Sequence, residues 1–307
     1  MDTPLKISVL GAGALGSVLG AELSKRGAEV ALLDTNDAHI AAINANGLRV
    51  DWDDTSERIR LKASRPEAAE SSDLIILLTK TLHSEAALAS VRPLIDAGAC
   101  VMTLQNGLGN VERLTSVIDR KRILYGCTMT PGDMRGPGYV ASHGLAYTPF
   151  IMLERGGAGE EVALRLAKLL PWLTEDAPSQ VWQKAAFNCA VNAPAGLGKG
   201  TVGDLARHLG LQGAGRIADE VLALAAAEGV RTERDSVHRQ IAFAFEHHVG
   251  HKPSLLQDLE NGRKTEIEAL NGYVSRRSAE LLLEAPLNDL LAGLVRMIEA
   301  RELVYPT

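Results

Sequence analysis

The chain has 307 residues, 46% of them hydrophobic, which is long for one core and comfortable for two. A formal net charge of -6, with no basic run set against it, argues against a nucleic-acid partner. Cys100, Cys127 and Cys189 are widely spaced and form no C-x-x-C, which fits a reduced compartment and no bound metal. The first residues lack a secretory pattern, and no run reaches the roughly 18 apolar residues of a membrane span. The expectation is a cytoplasmic protein without a membrane partner.

In chain order, a short apolar run at 7–10 leads into VLGAGALG and then a helical pattern to Arg26, followed by a second apolar run at 30–33. Gly11, Ala12, Gly13, Ala14, Leu15 and Gly16 therefore form G-x-G-x-x-G between a strand and a helix, the context of a dinucleotide loop. Gly11 permits the tight turn, Gly13 lets backbone approach a pyrophosphate, and Gly16 lets the helix pack closely. Amides at the helix start, with the dipole behind them, favour phosphate. Asp34, about twenty residues on, ends the second strand where an acidic residue meets a ribose 2′-hydroxyl.

The spacing next predicts a helix over 37–46 ended by Gly47, and a small hairpin within 48–62. DLIILLT at 73–79 and the run at 99–104 read as parallel strands buried on both faces, ending at Lys80 and at Gln105-Asn106-Gly107, with a helix over 84–91 between them. Between 123 and 153, short β-like runs read as strands extending the sheet without crossover helices, before a helix over 159–173. Beyond Pro178 the patterns are helical, over 181–191, 215–228, 234–247, 264–283 and 287–301. The fold class is α/β, a Rossmann-type dinucleotide-binding domain (1–176) followed by an all-α domain (177–307).

Such a pairing puts chemistry in a cleft between the domains, so the polar residues a helical domain could present there matter most. In VWQKAAFNCAVN, Lys184, Asn188 and Asn192 recur every fourth residue and fall within about 80° of one another on a helix. A lysine and two amides on an otherwise apolar helix could bind and protonate a carbonyl compound; the same spacing also suits a solvated lysine with two capping or core asparagines. In KPSLLQDLENGRKTEIEALN, Ser254 precedes an apolar pair, Gly262 looks like a helix stop, and Glu266 opens a helical pattern, where a carboxylate commonly complements the dipole. His247, His248 and His251 lack an acidic or cysteine ligand at a recognised spacing and read as surface; His83 and His143 stay unassigned.

Together, VLGAGALG, LLTK at Leu77, QNGLGN at Gln105, VWQKAAFNCAVN at Val181 and SLLQDLENGRKTEIEALNG at Ser254 resemble the ketopantoate reductase family across nearly the whole chain. The resemblance implies a nicotinamide-dependent reduction of a branched 2-oxo acid. It makes Lys184 the general acid and puts Glu266 beside it. It sets Lys80 and Asn106 along the nicotinamide half of the cofactor and Gly132 against the cofactor through its backbone. Asn106, Asn188, Asn192 and Ser254 would then hold the substrate. A lysine desolvated in a cleft has its pKa lowered, and a nearby Glu266 would raise it again.

Three departures stand out. Asp34 occupies the place where NADPH-using members offer an arginine, which predicts NADH over NADPH. His251 and Val202 stand where asparagines often line the substrate pocket, and Ala193-Pro194-Ala195 replaces Asn-Pro-Leu-Thr. Losing polar partners for a hydroxyl shifts discrimination among 2-oxo acids. The competing classes are a β-hydroxyacid dehydrogenase, disfavoured by TEIEALNG, and a dinucleotide sensor, which would need no general acid. The aliphatic C-terminal helices leave room for a homodimer.

Overall fold

Short apolar runs that alternate with helical stretches build a parallel sheet in the first half of the chain, and uninterrupted helical periodicity builds a helical second half. The computed structural model describes residues 3–304. Its contacts divide them into one unit reaching to Gln105 and continuing over Asn110–Ala177, and a second made of Asn106–Gly109 and the residues from Pro178 onward.

The first unit runs β1 (Lys6–Leu10), α1 (Ala14–Lys25), β2 (Glu29–Leu33), α2 (Asp37–Asn46), β3 (Leu48–Asp51), β4 (Ser56–Ile59), β5 (Lys62–Ser64), β6 (Leu74–Leu77), α3 (Ser84–Ser90), α4 (Arg92–Asp96), β7 (Cys100–Thr103), α5 (Asn110–Thr115), β8 (Ile123–Gly126), β9 (Asp133–Gly136), β10 (Tyr139–Ala141), β11 (Phe150–Met152) and α6 (Ala158–Ala167). Among the described residues the main sheet has the order β11-β8-β7-β6-β1-β2-β5 and is parallel except at β11 against β8. All four residues of β6 are buried, as a strand covered on both faces requires. Chain order reverses at β1, with β2 on one side and β6 on the other, so the crevice at their carboxyl ends is the topological switch point where such sheets bind ligands.

The expected hairpin in 48–62 is β3 paired antiparallel with β4, from Leu48 opposite Ile59 to Asp51 opposite Ser56. Of the runs between 123 and 153, β8 and β11 extend the main sheet as anticipated. β9 and β10 do not; they form a hairpin that joins β3 in a small second sheet. The helix expected over 159–173 ends at Ala167, because Pro171 supplies no N–H and disfavours a helical Leu170. Leu173 instead bridges to Phe150 in β11.

The second unit contains α7 (Ala177–Gly198), α8 (Val202–His208), α9 (Gly210–Ala227), α10 (Arg234–His247), α11 (Ser254–Glu260), α12 (Asn271–Glu280) and α13 (Pro286–Val304). Its core gathers Val221, Leu224, Val237, Ile241 and Val274, all fully buried. α7 is twice the length anticipated and runs through Pro194. α8 was not anticipated, although Thr201 and Asp204 form a reciprocal capping box at its start. The single helix expected over 264–283 is corrected to a one-turn 3-10 segment at Ile267–Ala269, a break at Leu270 (φ -113, ψ -111) and then α12. Asn271 begins α12 with its side chain donating to the Cys189 carbonyl of α7 (3.2 Å) and to Asn288 (2.9 Å), a tertiary pairing no helical period encodes.

Candidate functional site

The glycines behave as three different parts. Gly11 has φ +99, and a Cβ there would lie 2.5 Å from the Thr79 nitrogen, so the turn tolerates only glycine. A Cβ on Gly16 would lie 2.1 Å from the Gly11 carbonyl oxygen, so the first turn of α1 rests directly on the loop. Around Gly13 there is open space out to 4 Å. Gly13 is the N-cap of α1, no side chain caps the helix, and its first turn carries no acidic residue. Free first-turn amides, a helix dipole and room beside Gly13 suit a pyrophosphate, so the loop passes the physical test for the group the motif implies. Gly132 abuts the same place, its would-be Cβ 3.1 Å from the Ala14 carbonyl carbon.

Asp34 follows β2. Its N–H donates to the Ser64 carbonyl (3.1 Å), and its carboxylate accepts from the Asn36 N–H (2.9 Å). It lines a cleft of about 320 Å³ at the switch point, together with Gly11, Thr35, Glu67, Thr79 and His83. Glu67 is a second carboxylate there that sequence reasoning missed, because a short 3-10 turn at Pro66–Ala68 carries no motif. The neighbouring Arg65 guanidinium is held by Asp37 through bonds of 2.8 and 2.6 Å, which keeps the Asp37 carboxyl below the usual carboxylate range.

Lys80 ends the loop after β6 and caps the 3-10 turn Thr81–His83. Gln105, also missed, is buried: its amide donates to the Thr79 carbonyl (2.7 Å) and to Ser84 (2.8 Å), tying the ends of β6 and β7 together. A polar residue ending an apolar run was the available signal.

In the helical unit, Lys184, Asn188 and Asn192 occupy α7 at the predicted spacing, the first two half-buried and Asn192 buried. The Asn192 amide lies 3.5 Å from the hydroxyl of Ser254, an exposed residue in the first turn of α11. Glu266 is half-buried; it does not open a helix but stands at the N-cap of the 3-10 turn before α12. Asn106 belongs to this unit too. Leu108 donates to the Ala269 carbonyl (2.7 Å), Gly107 at φ +86 has no room for a Cβ against Ala269, and Gly109 packs on the Tyr273 ring. The glycines of QNGLGN are thus the negative of the TEIEALNG surface, which brings Asn106 and Glu266 onto adjoining segments.

Two of the departures are also neighbours. Val202 is buried, 1% exposed, and donates its N–H to the His251 carbonyl (3.0 Å), so both positions shift with one backbone contact. His247 stacks on Phe243 with centroids 4.2 Å apart, and His143 pairs with Asp53. Among the described residues no cluster of His, Cys, Asp or Glu has the geometry to hold a metal, and no helix is long and apolar enough to cross a membrane. Burial pushes the Cys100 thiol up to about 11 and the Cys189 thiol still higher, so neither is a nucleophile near neutral pH.

A switch-point crevice with an uncapped glycine-loop helix, followed by a helical unit that carries a lysine and two amides at fourth-residue spacing on one helix, fits a two-part dinucleotide-dependent oxidoreductase. The model of the ketopantoate reductase family matches residues 7–152, and that of the family's C-terminal region matches residues 176–299. The chain is 32% identical to the 2-dehydropantoate 2-reductase of Streptococcus pyogenes over 301 residues, covering 96% of this chain and 98% of the relative. It is 31% identical to that of Pyrococcus abyssi over 306 residues, covering 97% and 99%. Among solved structures, D-mandelate dehydrogenase with NADH and anilino(oxo)acetate superposes with a TM-score of 0.88 at 27% identity, covering 97% of this chain and 99% of the other. A ketopantoate reductase from Ralstonia eutropha gives 0.87 at 30%, covering 97% and 100%. The chain belongs to the ketopantoate reductase family and is an NAD(P)-dependent oxidoreductase acting on the CH–OH group.

Proposed function

We propose that this protein reduces a 2-oxo acid to the 2-hydroxy acid with NADH, using Lys184 as general acid. The observation that carries the reading is the gathering, in one helical unit, of Lys184, Asn188 and Asn192 on α7 with Ser254 of α11 within 3.5 Å of Asn192. The nicotinamide, when bound, supplies a hydride to the carbonyl carbon. The carbonyl oxygen then carries the developing negative charge. The Lys184 ammonium stabilises that charge and transfers one proton to the oxygen, completing the hydroxyl; water reprotonates the amine. Asn188, Asn192 and Ser254 offer the N–H and O–H donors that a carboxylate and a hydroxyl need. Asn106 and Glu266 stand on adjoining segments, Glu266 offering the site a carboxylate. Gly11 to Gly16, Gly132 and Lys80 hold the cofactor from the sheet side.

NADH is favoured because two carboxylates, Asp34 and Glu67, line the cleft where the adenosine ribose belongs, while Arg65 is engaged by Asp37. The NADH bound by the similar D-mandelate dehydrogenase supports the same choice. NADH oxidation with a panel of 2-oxo acids tests the activity. Lys184→Ala is expected to lower kcat by at least about a hundredfold; turnover near that of the wild type refutes the role.

A second reading concerns the substrate's side group. Val202 is apolar and buried at a position where the family offers asparagine, which favours an aryl or aliphatic group over a hydroxyl-bearing one. Comparing kcat/KM for ketopantoate and phenylglyoxylate separates the two readings.

A further inference from the structure

We infer that His39 is a positioning residue for the dinucleotide loop: its buried imidazole, as the Nε2–H tautomer, joins the turn between β9 and β10 to the Ala12 carbonyl through Ser17. The inference rests on the reading that this loop binds a dinucleotide.

The tautomer follows from the partners. The Gly138 N–H donates to His39 Nδ1 at 2.9 Å. A backbone amide cannot accept, so Nδ1 presents its lone pair and the ring proton resides on Nε2. Nε2 lies 3.2 Å from Ser17 Oγ, and that hydroxyl lies 2.8 Å from the Ala12 carbonyl oxygen. The Ala12 oxygen only accepts, so the direction of every bond is set: Gly138 N–H to Nδ1, Nε2–H to Oγ, and O–H to the Ala12 carbonyl. His39 is 2% exposed and Ser17 fully buried, so water does not substitute for any partner.

The chain ends on the residue between Gly11 and Gly13. It also begins on a turn with no slack: Gly138 has φ +67, and a Cβ there would lie 2.8 Å from that of Ala42 on α2. The relay thereby couples the orientation of one loop peptide to the seat of the β9–β10 hairpin, whose leading residue Gly132 abuts Ala14.

A second proton on the ring would set an Nδ1–H against the Gly138 N–H, donor against donor, and the relay would open. Burial disfavours the imidazolium, while the Asp34 carboxylate and the Ala12 carbonyl oppose that effect; the net is a pKa below the usual value. On the elements around α2, the other charges are Lys62 of β5 and the pairs Asp37–Arg65, Arg49–Asp51 on β3, Glu22–Lys25 on α1 and Asp133–Arg135 on β9. Each pair carries no net charge. Because the neutral ring belongs to the ordered loop, dinucleotide affinity is full while the ring is neutral and declines as pH falls through the lowered pKa of the free folded protein.

The test has two readouts that need no turnover. In ¹⁵N-histidine spectra at neutral pH, His39 is expected to show a protonated Nε2 and a bare Nδ1; a protonated Nδ1, or titration at or above the free-histidine value, overturns the relay. NADH and NADPH dissociation constants, measured by fluorescence between pH 5.5 and 8, are compared for His39→Gln, Ser17→Ala and the wild type. The two variants and the wild type for comparison are each made in a His83→Gln background, which removes the imidazole that lines the cleft. The wild type is expected to weaken about five- to tenfold toward the acid end, the scale of one lost buried hydrogen bond. His39→Gln keeps an amide donor for Ser17 and does not titrate, so its affinity should be flat with pH. Ser17→Ala should weaken binding at every pH, with melting temperatures identifying folded variants. An unchanged pH profile in His39→Gln, or wild-type affinity in folded Ser17→Ala, refutes the coupling. If neither dinucleotide binds the wild type, the loop reading fails with it, while the spectra still report the tautomer.

Discussion

Replacing Asp34 by asparagine isolates the charge at the ribose, since Asn keeps an oxygen for the Asn36 N–H that Asp34 accepts at 2.9 Å. A carboxylate hydrogen-bonded to a ribose would meet a 2′-phosphate, which carries a charge of about −1.5 to −2 at pH 7, at about 5 Å, where an effective dielectric constant of about 40 makes the repulsion roughly 3 kcal/mol. That corresponds to about a hundredfold preference for NADH over NADPH. Glu67, on the same cleft, adds to it at longer range. Asp34→Asn should weaken NADH about five- to tenfold through loss of a charged acceptor, strengthen NADPH, and so erase most of the preference. Adding Glu67→Gln should erase the remainder. Kd and kcat/KM for both cofactors are measured at low and high salt. The preference should shrink with salt as the Debye length falls to about 10 Å at 0.1 M and below. A wild type that takes NADPH as well as NADH, or an Asp34→Asn ratio unchanged from wild type, refutes the electrostatic account.

Asn192→Ala should raise KM for the 2-oxo acid about tenfold with a smaller change in kcat, as removal of a binding hydrogen bond does; steady-state kinetics at saturating NADH separate the two. Gly16→Ala puts a Cβ on the Gly11 carbonyl, so the melting temperature should drop and its rise with added NADH should vanish. On the acid side, hydrogen bonds from Ser56 and then Tyr139 hold the Asp51 carboxyl at about 2, below the ordinary aspartate value of 3.8. Between those values the unfolded chain binds a proton that the folded one refuses, so stability declines as pH falls from about 4 to about 2. Tyr139→Phe should flatten that decline in thermal melts.

The α/β order was legible because β6 is apolar and buried at every position, β7 is buried throughout and β1 and β2 are mostly apolar runs, and because Gly11, Gly13 and Gly16 have fixed offsets. The helical second half was legible by period, but its ends were not. α7 runs on through Pro194 since helix packing outweighs one missing N–H. The break at Leu270 escaped notice because TEIEALNG has helical spacing, and what halts the helix is the fit of Ala269 against Gly107 and of Asn271 against Cys189, partners far apart in sequence.

The same distinction separates the site residues that were visible from those that were not. Lys184, Asn188 and Asn192 are related by helical geometry within one element, so their shared face follows from spacing alone. Gln105 and His39 act through partners on other strands and turns, Gln105 through Thr79 and Ser84 and His39 through Gly138 and Ser17, while Glu67 lines a cleft that only distant segments build. No local pattern distinguishes a buried histidine with two committed nitrogens from a solvated one. The glycines that make room for these contacts are more telling. Gly107 and Gly138 sit at positive φ against Ala269 and Ala42, so each marks where a distant segment must come close. In this chain such glycines stand beside both the Asn106 segment and the His39 relay.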